Sequence, residues 1–228
     1  MIILAIGGSV IKTAWEEIKQ LAEGKRFNVL VHNGGSLFHD FQRATEKLIS
    51  PSYTLDQLLT EPELNEKASK KVWEYINWDI VPKNSLTWIC RKNNIPVLTF
   101  TALGCDFWQM FGGHLDWASF ARRSWKDFYT LCKFMQEPFH FISMGSAVIH
   151  PEVFTKVLAV VKPKEFRADV VDFKDMYRPR MRVAKYGVYF LCTHKQYLDA
   201  WIEKKAVPEI YDPLRYWKPE FQEGTGDD

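Results

Sequence analysis

The chain has 228 residues, of which 46% are hydrophobic and 25% are charged, and its formal net charge is +2. This length and composition are typical of one sizeable α/β domain, and the evenly spread basic residues give no electrostatic case for nucleic-acid binding. The cysteines at positions 90, 105, 132 and 192 form no CxxC pair, which argues against a zinc ribbon or disulfide framework and favours a cytoplasmic location.

Neither a membrane span nor a signal peptide is predicted. No segment reaches about 18 uncharged apolar residues, the length needed to cross a bilayer. The opening stretch MIILAIGGSVIK lacks a basic n-region and a cleavage site, so we interpret it as the first core strand.

Short apolar runs along the chain predict buried strands. Their hydrophobicity is continuous rather than alternating, which indicates strands covered on both faces and therefore a parallel sheet. The runs are IILAI (2–6), NVLVH (28–32), PVLTFTAL (96–103), FHFISM (139–144) and RADVVDF (167–173).

Helical patterns alternate with these strands, at residues 10–23, 84–93, 127–136 and 151–161. The alternation predicts an α/β fold with a doubly wound, mostly parallel Rossmann-like sheet and helices on both faces. Residues 45–80 are polar and predict a helical insertion. We expect residues 1–219 to form a single domain and 220–228 to be a disordered tail.

Small residues close most of the predicted strands. In an open parallel sheet, ligands bind beyond the carboxyl ends of the strands, so these turns are expected to share one ligand-binding edge. The alternative is that the glycines serve only tight strand-to-helix turns. The candidate cofactor-binding residues in these turns are Gly7, Gly8, Ser9, Asn33, Gly34, Gly35, Ser36, Gly145 and Ser146.

The standard nucleotide fingerprints are missing from these turns. The sequence contains neither GxGxxG nor the Walker A pattern, so a nucleotide would have to be held by a different loop geometry. Asp40 and Asp106 are the carboxylates nearest to the turns, and either could accept hydrogen bonds from ribose hydroxyls. The alternative for each is an exposed residue in the first turn of a helix.

Three histidines lie near the same turns. His32 and His39 are seven residues apart across one turn, and His150 precedes Pro151 at a predicted helix start. This spacing specifies no metal site, so we predict no metal. We expect at least one of the three to line a polar pocket or to act as a catalytic base, with His39 and His150 as the candidates.

Several segments resemble deoxyhypusine synthase and its relatives. The segment IVPKNSLTWICRKNNIPVLTFTALGCDFWQM (80–110) is similar to that family's helix, strand and Gly/Asp-bearing loop. NVLVHNGGSLFHDF looks like the family's strand, Gly-Gly turn and following acidic residue. FISMGSAVIHPEVFTKVLAVV and YRPRMRVAKYG resemble two later segments of the family, in the same order. The resemblance covers roughly residues 1–190.

The resemblance implies an NAD-binding domain that assembles into dimers or tetramers. NAD would lie along the glycine turns, Asp40 and Asp106. The family oxidises spermidine with NAD and transfers an aminobutyl group to a lysine amine, so the implied substrate is a small-molecule amine. The family's catalytic lysine follows a Trp-Gly pair, whereas this chain has Lys185 in AKYGV, which makes Lys185 a displaced candidate. The chain is also shorter than the synthase, which suggests a divergent relative.

Two other functions are compatible with the same residues. IGGSVI and VLVHNGGS look like the first two strand ends of amino acid kinases, which would imply a phosphotransferase that uses ATP-Mg. In those kinases a lysine usually precedes the first glycine pair, and here Ile6 occupies that position. The second alternative is a non-catalytic interaction protein that uses some of its nine tryptophans at an interface.

Overall fold

The structure is a computed structural model, and it describes residues 1–46, 72, 74–76, 80–101 and 116–206. Six parallel strands form one sheet in the order β3-β2-β1-β4-β5-β6. This order is that of doubly wound dinucleotide-binding sheets, so the predicted Rossmann-like fold class is confirmed. The strands are β1 (Ile2–Ile6), β2 (Val29–Asn33), β3 (Val97–Phe100), β4 (Phe139–Met144), β5 (Phe166–Asp172) and β6 (Tyr189–Leu191).

Seven helices are labelled here in chain order. They are α1 (Gly8–Glu23), α2 (Gly34–Glu46), α3 (Leu86–Lys92), α4 (Trp117–Phe134), α5 (Ile149–Val161), α6 (Tyr177–Arg182) and α7 (His194–Glu203). A short 3₁₀ helix, Ala184–Tyr186, precedes β6. No helix in the described part of the chain is both long enough and apolar enough to cross a membrane.

Both faces of the sheet are covered, as the continuous apolar strands predicted. On β1, Leu4 and Ile6 face a core that includes side chains of α1, α3 and α7. The alternate residues Ile3 and Ala5 face a second core, with side chains of α4 and α5. Burial of apolar surface on both sides of each central strand is the main stabilising contribution, at roughly 25 cal/mol per Å².

The sequence patterns located most elements but missed some short or polar ones. The bounds of β1 and β4 agree with the predicted runs, whereas β6 was not predicted because its three residues are too few for a recognisable pattern. Helix α2 was missed because it opens with two glycines, which have low helix propensity. Of the predicted 45–80 insertion, Val72 and residues 74–76 are helical. The remainder from 47 onward, apart from Ile80, and the 220–228 tail lie outside the described residues.

Candidate functional site

The candidate site is the edge of the sheet formed by the carboxyl ends of the strands. Strand β1 lies between β2 and β4. The chain therefore adds β2 and β3 on one side of β1 and then crosses to add β4, β5 and β6 on its other side. Such a reversal of strand order opens a crevice, which is where ligands bind in open α/β sheets. The turn after β1 begins at Gly7, and the turn after β4 begins at Gly145.

These two turns are packed directly against each other. The Gly7 N–H donates to the Met144 carbonyl at 2.8 Å, which extends the β1–β4 pairing into the turn. A Cβ atom on Gly7 would lie 1.8 Å from the Gly145 carbonyl oxygen, and one on Gly145 would lie 2.5 Å from Ser9 Oγ. Gly145 also has φ of +60°, a conformation that favours glycine. Packing of the protein alone therefore requires glycine at both positions.

Gly8 and Gly35 bring the first turns of α1 and α2 side by side. A Cβ on Gly8 would lie 3.1 Å from His39 Cδ2 and 3.4 Å from the Gly35 carbonyl carbon, which is tight. A Cβ on Gly35 would meet nothing closer than Asn33 Oδ1, at 3.6 Å. A Cβ at Gly35 would therefore make only ordinary van der Waals contacts, so the packing around this residue does not by itself require glycine, in contrast to Gly7 and Gly145.

Three helices begin at this edge, and side-chain oxygens accept from N–H groups at the start of two of them. At α2, Asn33 Oδ1 accepts from the Ser36 N–H at 2.8 Å. At α5, Ser146 Oγ accepts from the His150 N–H at 3.2 Å. Gly7 precedes α1 and has no side chain to cap it. Because the amino ends of helices carry partial positive charge, this edge is suited to an anionic group.

His150 lies at the start of α5 with its ring buried. The residue is 1% exposed, and neither ring nitrogen has a hydrogen-bond partner among the described residues. Burial lowers its pKa to about 3, with a smaller contribution from His32. The imidazole is therefore neutral at pH 7, with one donor and one acceptor unused. Unpaired buried polar atoms are uncommon in proteins, which makes His150 the strongest candidate among the predicted residues.

His39 is half-buried between the first turns of α1 and α2. Its Nδ1 lies 3.4 Å from Gln42 Oε1, and its ring approaches Gly8. Burial lowers its pKa to about 4, and the nearby charge of Lys12 lowers it further. The structure thus places His39 at the predicted edge as a neutral side chain.

A third histidine at this edge, His194, was missed by the sequence patterns. It begins α7, is 2% exposed, and its Nε2 has no hydrogen-bond partner in the described part of the chain. Its Cε1 would be 3.1 Å from a Cβ on Gly145, so the ring lies against the turn after β4. The Thr193–Gln196 capping box indicates a helix start in the sequence. The sequence does not show that this helix starts at the candidate edge, because its position follows from the parallel pairing of β6 with β5.

Asp172 is a second missed residue at the same edge. It ends β5 and is 6% exposed. Burial raises the pKa of its carboxyl group, although the Lys174 and Phe173 N–H groups donate to it and oppose the shift. Position in the sheet, rather than any local motif, brings this acid to the edge.

Asp40 has a structural environment that differs from the expected ribose contact. Its side chain is fully buried, and it accepts from the backbone N–H groups of Leu86 at 2.6 Å and Thr87 at 3.0 Å. The Thr87 hydroxyl and Trp15 Nε1 also donate to it, at 2.9 and 3.3 Å. Both oxygens thus accept from the start of α3 and from Trp15, which gives Asp40 a structural role in place of the exposed position expected of a ribose contact. Burial raises its pKa, against the effect of these hydrogen bonds.

His32 belongs to this same buried network. Its Nδ1 lies 2.9 Å from Ser36 Oγ, and its Nε2 lies 3.3 Å from Thr87 Oγ1. Burial lowers its pKa to about 3. Both ring nitrogens of His32 are paired, so hydrogen bonds within the protein account for its burial. The burial of His150 has no such explanation.

Lys185 does not lie at the candidate edge. It belongs to the 3₁₀ helix before β6, and the adjacent Tyr186 ring packs 5.0 Å from Phe166, the first residue of β5. The glycine turns are at the opposite ends of the strands, and a seven-residue strand spans roughly 20 Å. The structure therefore corrects the expectation that Lys185 shares a site with the turns.

Asp106, the other predicted acid, lies outside the described residues.

No three His, Cys, Asp or Glu side chains converge as metal ligands within the described ranges. What the edge offers instead is backbone N–H groups at helix starts and two buried neutral histidines whose unused nitrogens have no partner among the described residues. These features fit a ligand that combines an anionic group with hydrogen-bonding substituents, as a dinucleotide does.

No protein-family model matches the chain, and no curated protein matches it. Solved structures do match. AgrE in a ternary complex with ornithine and NAD⁺ superposes with a TM-score of 0.58 at 13% identity, over 89% of this chain and 30% of AgrE.

Two further structures have the same fold. A conserved protein assigned to the LOR/SDH group from Methanococcus maripaludis S2 has a TM-score of 0.60 at 12% identity, over 89% of this chain and 61% of that protein. A protein assigned as a deoxyhypusine synthase from Entamoeba histolytica has a TM-score of 0.53 at 14% identity, over 93% and 78%. The chain thus spans less than two thirds of AgrE and of the LOR/SDH protein. At these identities the likeness shows the fold alone.

Proposed function

We propose that this chain binds NAD across the turns that follow β1, β2 and β4, as a deoxyhypusine synthase-like protein acting on a small-molecule amine. The observation that carries this proposal is the buried, unpartnered ring of His150 beside three helix starts at one sheet edge. NAD binding by AgrE, which shares the fold, supports it. NAD would supply a hydride acceptor for amine oxidation.

The chain's own residues would divide the binding between them. The N–H groups at the start of α1 and α2 would face the diphosphate, and the lack of a side chain on Gly35 would allow its close approach. His150, neutral at pH 7 because burial lowers its pKa to about 3, would accept a hydrogen bond from an N–H group of the substrate amine and orient it. Lys185 has no part in this proposal, because it lies at the other end of the strands.

A thermal shift experiment tests the proposal on the purified chain. At about 100 times its dissociation constant, NAD is expected to add about 2.7 kcal/mol to the free energy of unfolding. For a domain of this size that corresponds to a rise in Tm of roughly 5–10 °C. ATP-Mg is the control and should give no shift. A shift with ATP-Mg alone would favour the kinase alternative, and no shift with either would favour an interaction protein.

Substitution of Gly35 by valine separates a ligand-binding turn from a structural one. The protein has room for a Cβ at this position, so Gly35→Val should keep the free energy of unfolding within about 1 kcal/mol of wild type. The added side chain would occupy the space for the diphosphate, so the NAD-induced shift should be lost. Retention of the full shift would mean that the Gly35 turn does not contact the ligand.

Lys185→Ala should leave the NAD-induced shift unchanged. The side chain is exposed and its Nζ lies 4.8 Å from the Tyr186 ring centroid, so its loss should change stability by no more than about 0.5 kcal/mol. Isothermal titration of both proteins with NAD checks this. A reduced affinity in the variant would place Lys185 near the ligand and contradict the location of the site.

A further inference from the structure

A cavity lies along the outer edge of the sheet, and the proposed function gives it no role. Strand β3 is the last strand on its side and pairs only with β2, so its other edge is free of strands. The cavity has a volume of about 80 Å³ and is bounded by side chains of α2, α3, α4, β3 and residues 75–81. This is roughly the volume of three water molecules in the liquid, so it can enclose only a small chemical group.

The lining of this cavity combines apolar and charged side chains. The apolar part includes buried residues of α2 and of the segment before α3, among them Leu37, Phe41 and Ile76. Three charged side chains contributed by α3 and α4 also line the cavity: Arg91, Arg123 and Asp127. An apolar pocket with a few charged groups is typical of a site that binds and orients a small molecule.

Asp127 has one carboxylate oxygen without a partner. Its Oδ2 accepts from the Thr99 N–H at 2.9 Å, which satisfies a backbone donor on the free edge of β3. Its Oδ1 accepts no hydrogen bond from the described residues. Burial raises the pKa of this carboxyl, although the Thr99 N–H and the charges of Arg123, Lys126 and Arg91 oppose the shift. A cationic donor at Oδ1 would therefore offset an unfavourable burial.

Arg91 supplies an opposite charge that is also unpaired. It lies in the last turn of α3, and its guanidinium forms no hydrogen bond or ion pair within the described part of the chain. Arg91 and Asp127 therefore line one cavity without contacting each other, although their charges attract at longer range. The space between them is suited to a ligand that contacts both.

The mixed charge of the cavity selects against a ligand with a single charge. A carboxylate placed near Arg91 and Arg123 would also be repelled by Asp127, and an ammonium group near Asp127 would be repelled by both guanidinium groups. A zwitterion places each of its charges next to an opposite one. An apolar substituent of a few carbons on the same molecule would complement the apolar lining.

We infer that this cavity binds an α-amino acid with a short aliphatic side chain, such as valine, whose carboxylate pairs with Arg91 and whose ammonium group donates to Asp127 Oδ1. The aliphatic side chain would pack against Leu37, Phe41 and Ile76. This site is separate from the glycine turns, none of which lines the cavity. The inference therefore does not depend on the proposed binding of NAD.

Calorimetric titration of the purified chain with L-valine tests the inference, with two analogues as controls. Isovalerate lacks the amino group and isobutylamine lacks the carboxylate, while both keep the branched alkyl group. L-valine should bind, and each analogue should bind at least about tenfold more weakly, because it loses one charge-assisted hydrogen bond and leaves one like charge opposed.

Two substitutions test the assigned contacts. Arg91→Gln and Asp127→Asn should each weaken L-valine binding about tenfold. Asp127→Asn keeps an acceptor oxygen for the Thr99 N–H, so the edge of β3 should remain covered. Arg122→Gln is the matched control, since Arg122 is an exposed arginine of the same helix α4 that does not line the cavity. Its affinity for L-valine should stay within about twofold of wild type.

Several results would overturn the inference. Failure of the wild-type chain to bind L-valine would do so, as would equal affinity for isovalerate, which would indicate a site for anions alone. Unchanged affinity in both Arg91→Gln and Asp127→Asn would place the bound amino acid elsewhere. The Tm of each variant without ligand shows whether it is folded, and Arg91→Gln keeps the test decisive if Asp127→Asn is unstable. The NAD titration is a separate measurement, so either proposal can fail while the other stands.

Discussion

Gly7→Ala is expected to lower the free energy of unfolding by about 4 kcal/mol, a large effect for the addition of one methyl group. The new Cβ would lie 1.8 Å from the Gly145 carbonyl oxygen and 2.5 Å from its carbonyl carbon. Both atoms are backbone, so no side-chain rotation can relieve the overlap. The two turns would have to separate, which would break the hydrogen bond from the Gly7 N–H to the Met144 carbonyl.

Gly35→Ala is the matched control for this prediction. It adds the same methyl group at the same edge of the sheet, but the nearest atom would be 3.6 Å away. Alanine also has a better helix propensity than glycine, by up to about 1 kcal/mol. The control should therefore be as stable as wild type or slightly more stable.

Urea denaturation followed by circular dichroism measures both variants, and thermal melting should show a decrease in Tm of roughly 10 °C for Gly7→Ala. Equal stability of Gly7→Ala and wild type would mean that the turns after β1 and β4 are not in the close contact described. The candidate site would then lose its framework, because both turns position the helices whose first N–H groups face the ligand.

Lowering the pH from 7.5 to 5.5 is expected to destabilise the protein by about 3 kcal/mol through two histidines alone. Burial lowers the pKa of His150 to about 3 and that of His194 to about 4. In the unfolded chain both should titrate near 6.5. Between these values the unfolded state binds more protons than the folded state, so stability rises with pH and is lost as pH falls through 6.5. Each histidine contributes about 1.4 kcal/mol over this interval.

The double variant His150→Gln, His194→Gln isolates this contribution. Both replacements are polar but do not titrate, so the difference in unfolding free energy between pH 7.5 and 5.5 should shrink by about 3 kcal/mol relative to wild type. His32 is left unchanged because the Asp40 carboxyl lies 3.9 Å from it. Burial raises the pKa of this carboxyl, and its effect on the pH dependence of stability is opposite to that of a buried histidine. An identical pH dependence in wild type and double variant would show that the two rings are already protonated or solvated in the folded state.

The same two histidines connect stability with the proposed site. A ligand that pairs with their free nitrogens would remove an unfavourable burial, and this gain would lower its dissociation constant and so increase the stabilisation of the folded state. The pH experiment without ligand and the NAD titration therefore probe the same atoms by independent measurements. If both measurements change when the two histidines are replaced, the same ring nitrogens contribute to the loss of stability at low pH and to ligand binding.

Much of the architecture could be predicted because it depends on local composition. The run Ile2–Ile6 is apolar at every position, which is only stable when both faces of a strand are covered, and this in turn requires a parallel sheet with helices on both sides. The strand exits at Gly7, Gly35 and Gly145 were likewise visible as small residues after apolar runs.

The site was harder to predict because its content depends on partners distant in sequence. Asp40 had the residue type of a ribose contact, but Leu86 and Thr87 use its oxygens to cap a helix more than forty residues away. Lys185 was near the right motif, but β5 and β6 are parallel, so the segment that joins them returns to the far end of the sheet.

By itself, the sequence determined the fold class, the two-sided core and the edge where small residues gather, because hydrophobic periodicity and glycine content act within a few residues of chain. Only the tertiary structure decided that Gly7 and Gly145 are needed by the protein itself, while a Cβ at Gly35 would make only ordinary van der Waals contacts. It also decided that His150 and His194 have free nitrogens. The physical reason is that steric overlap and hydrogen-bond pairing are properties of atoms brought together by strand order, and no local pattern encodes them.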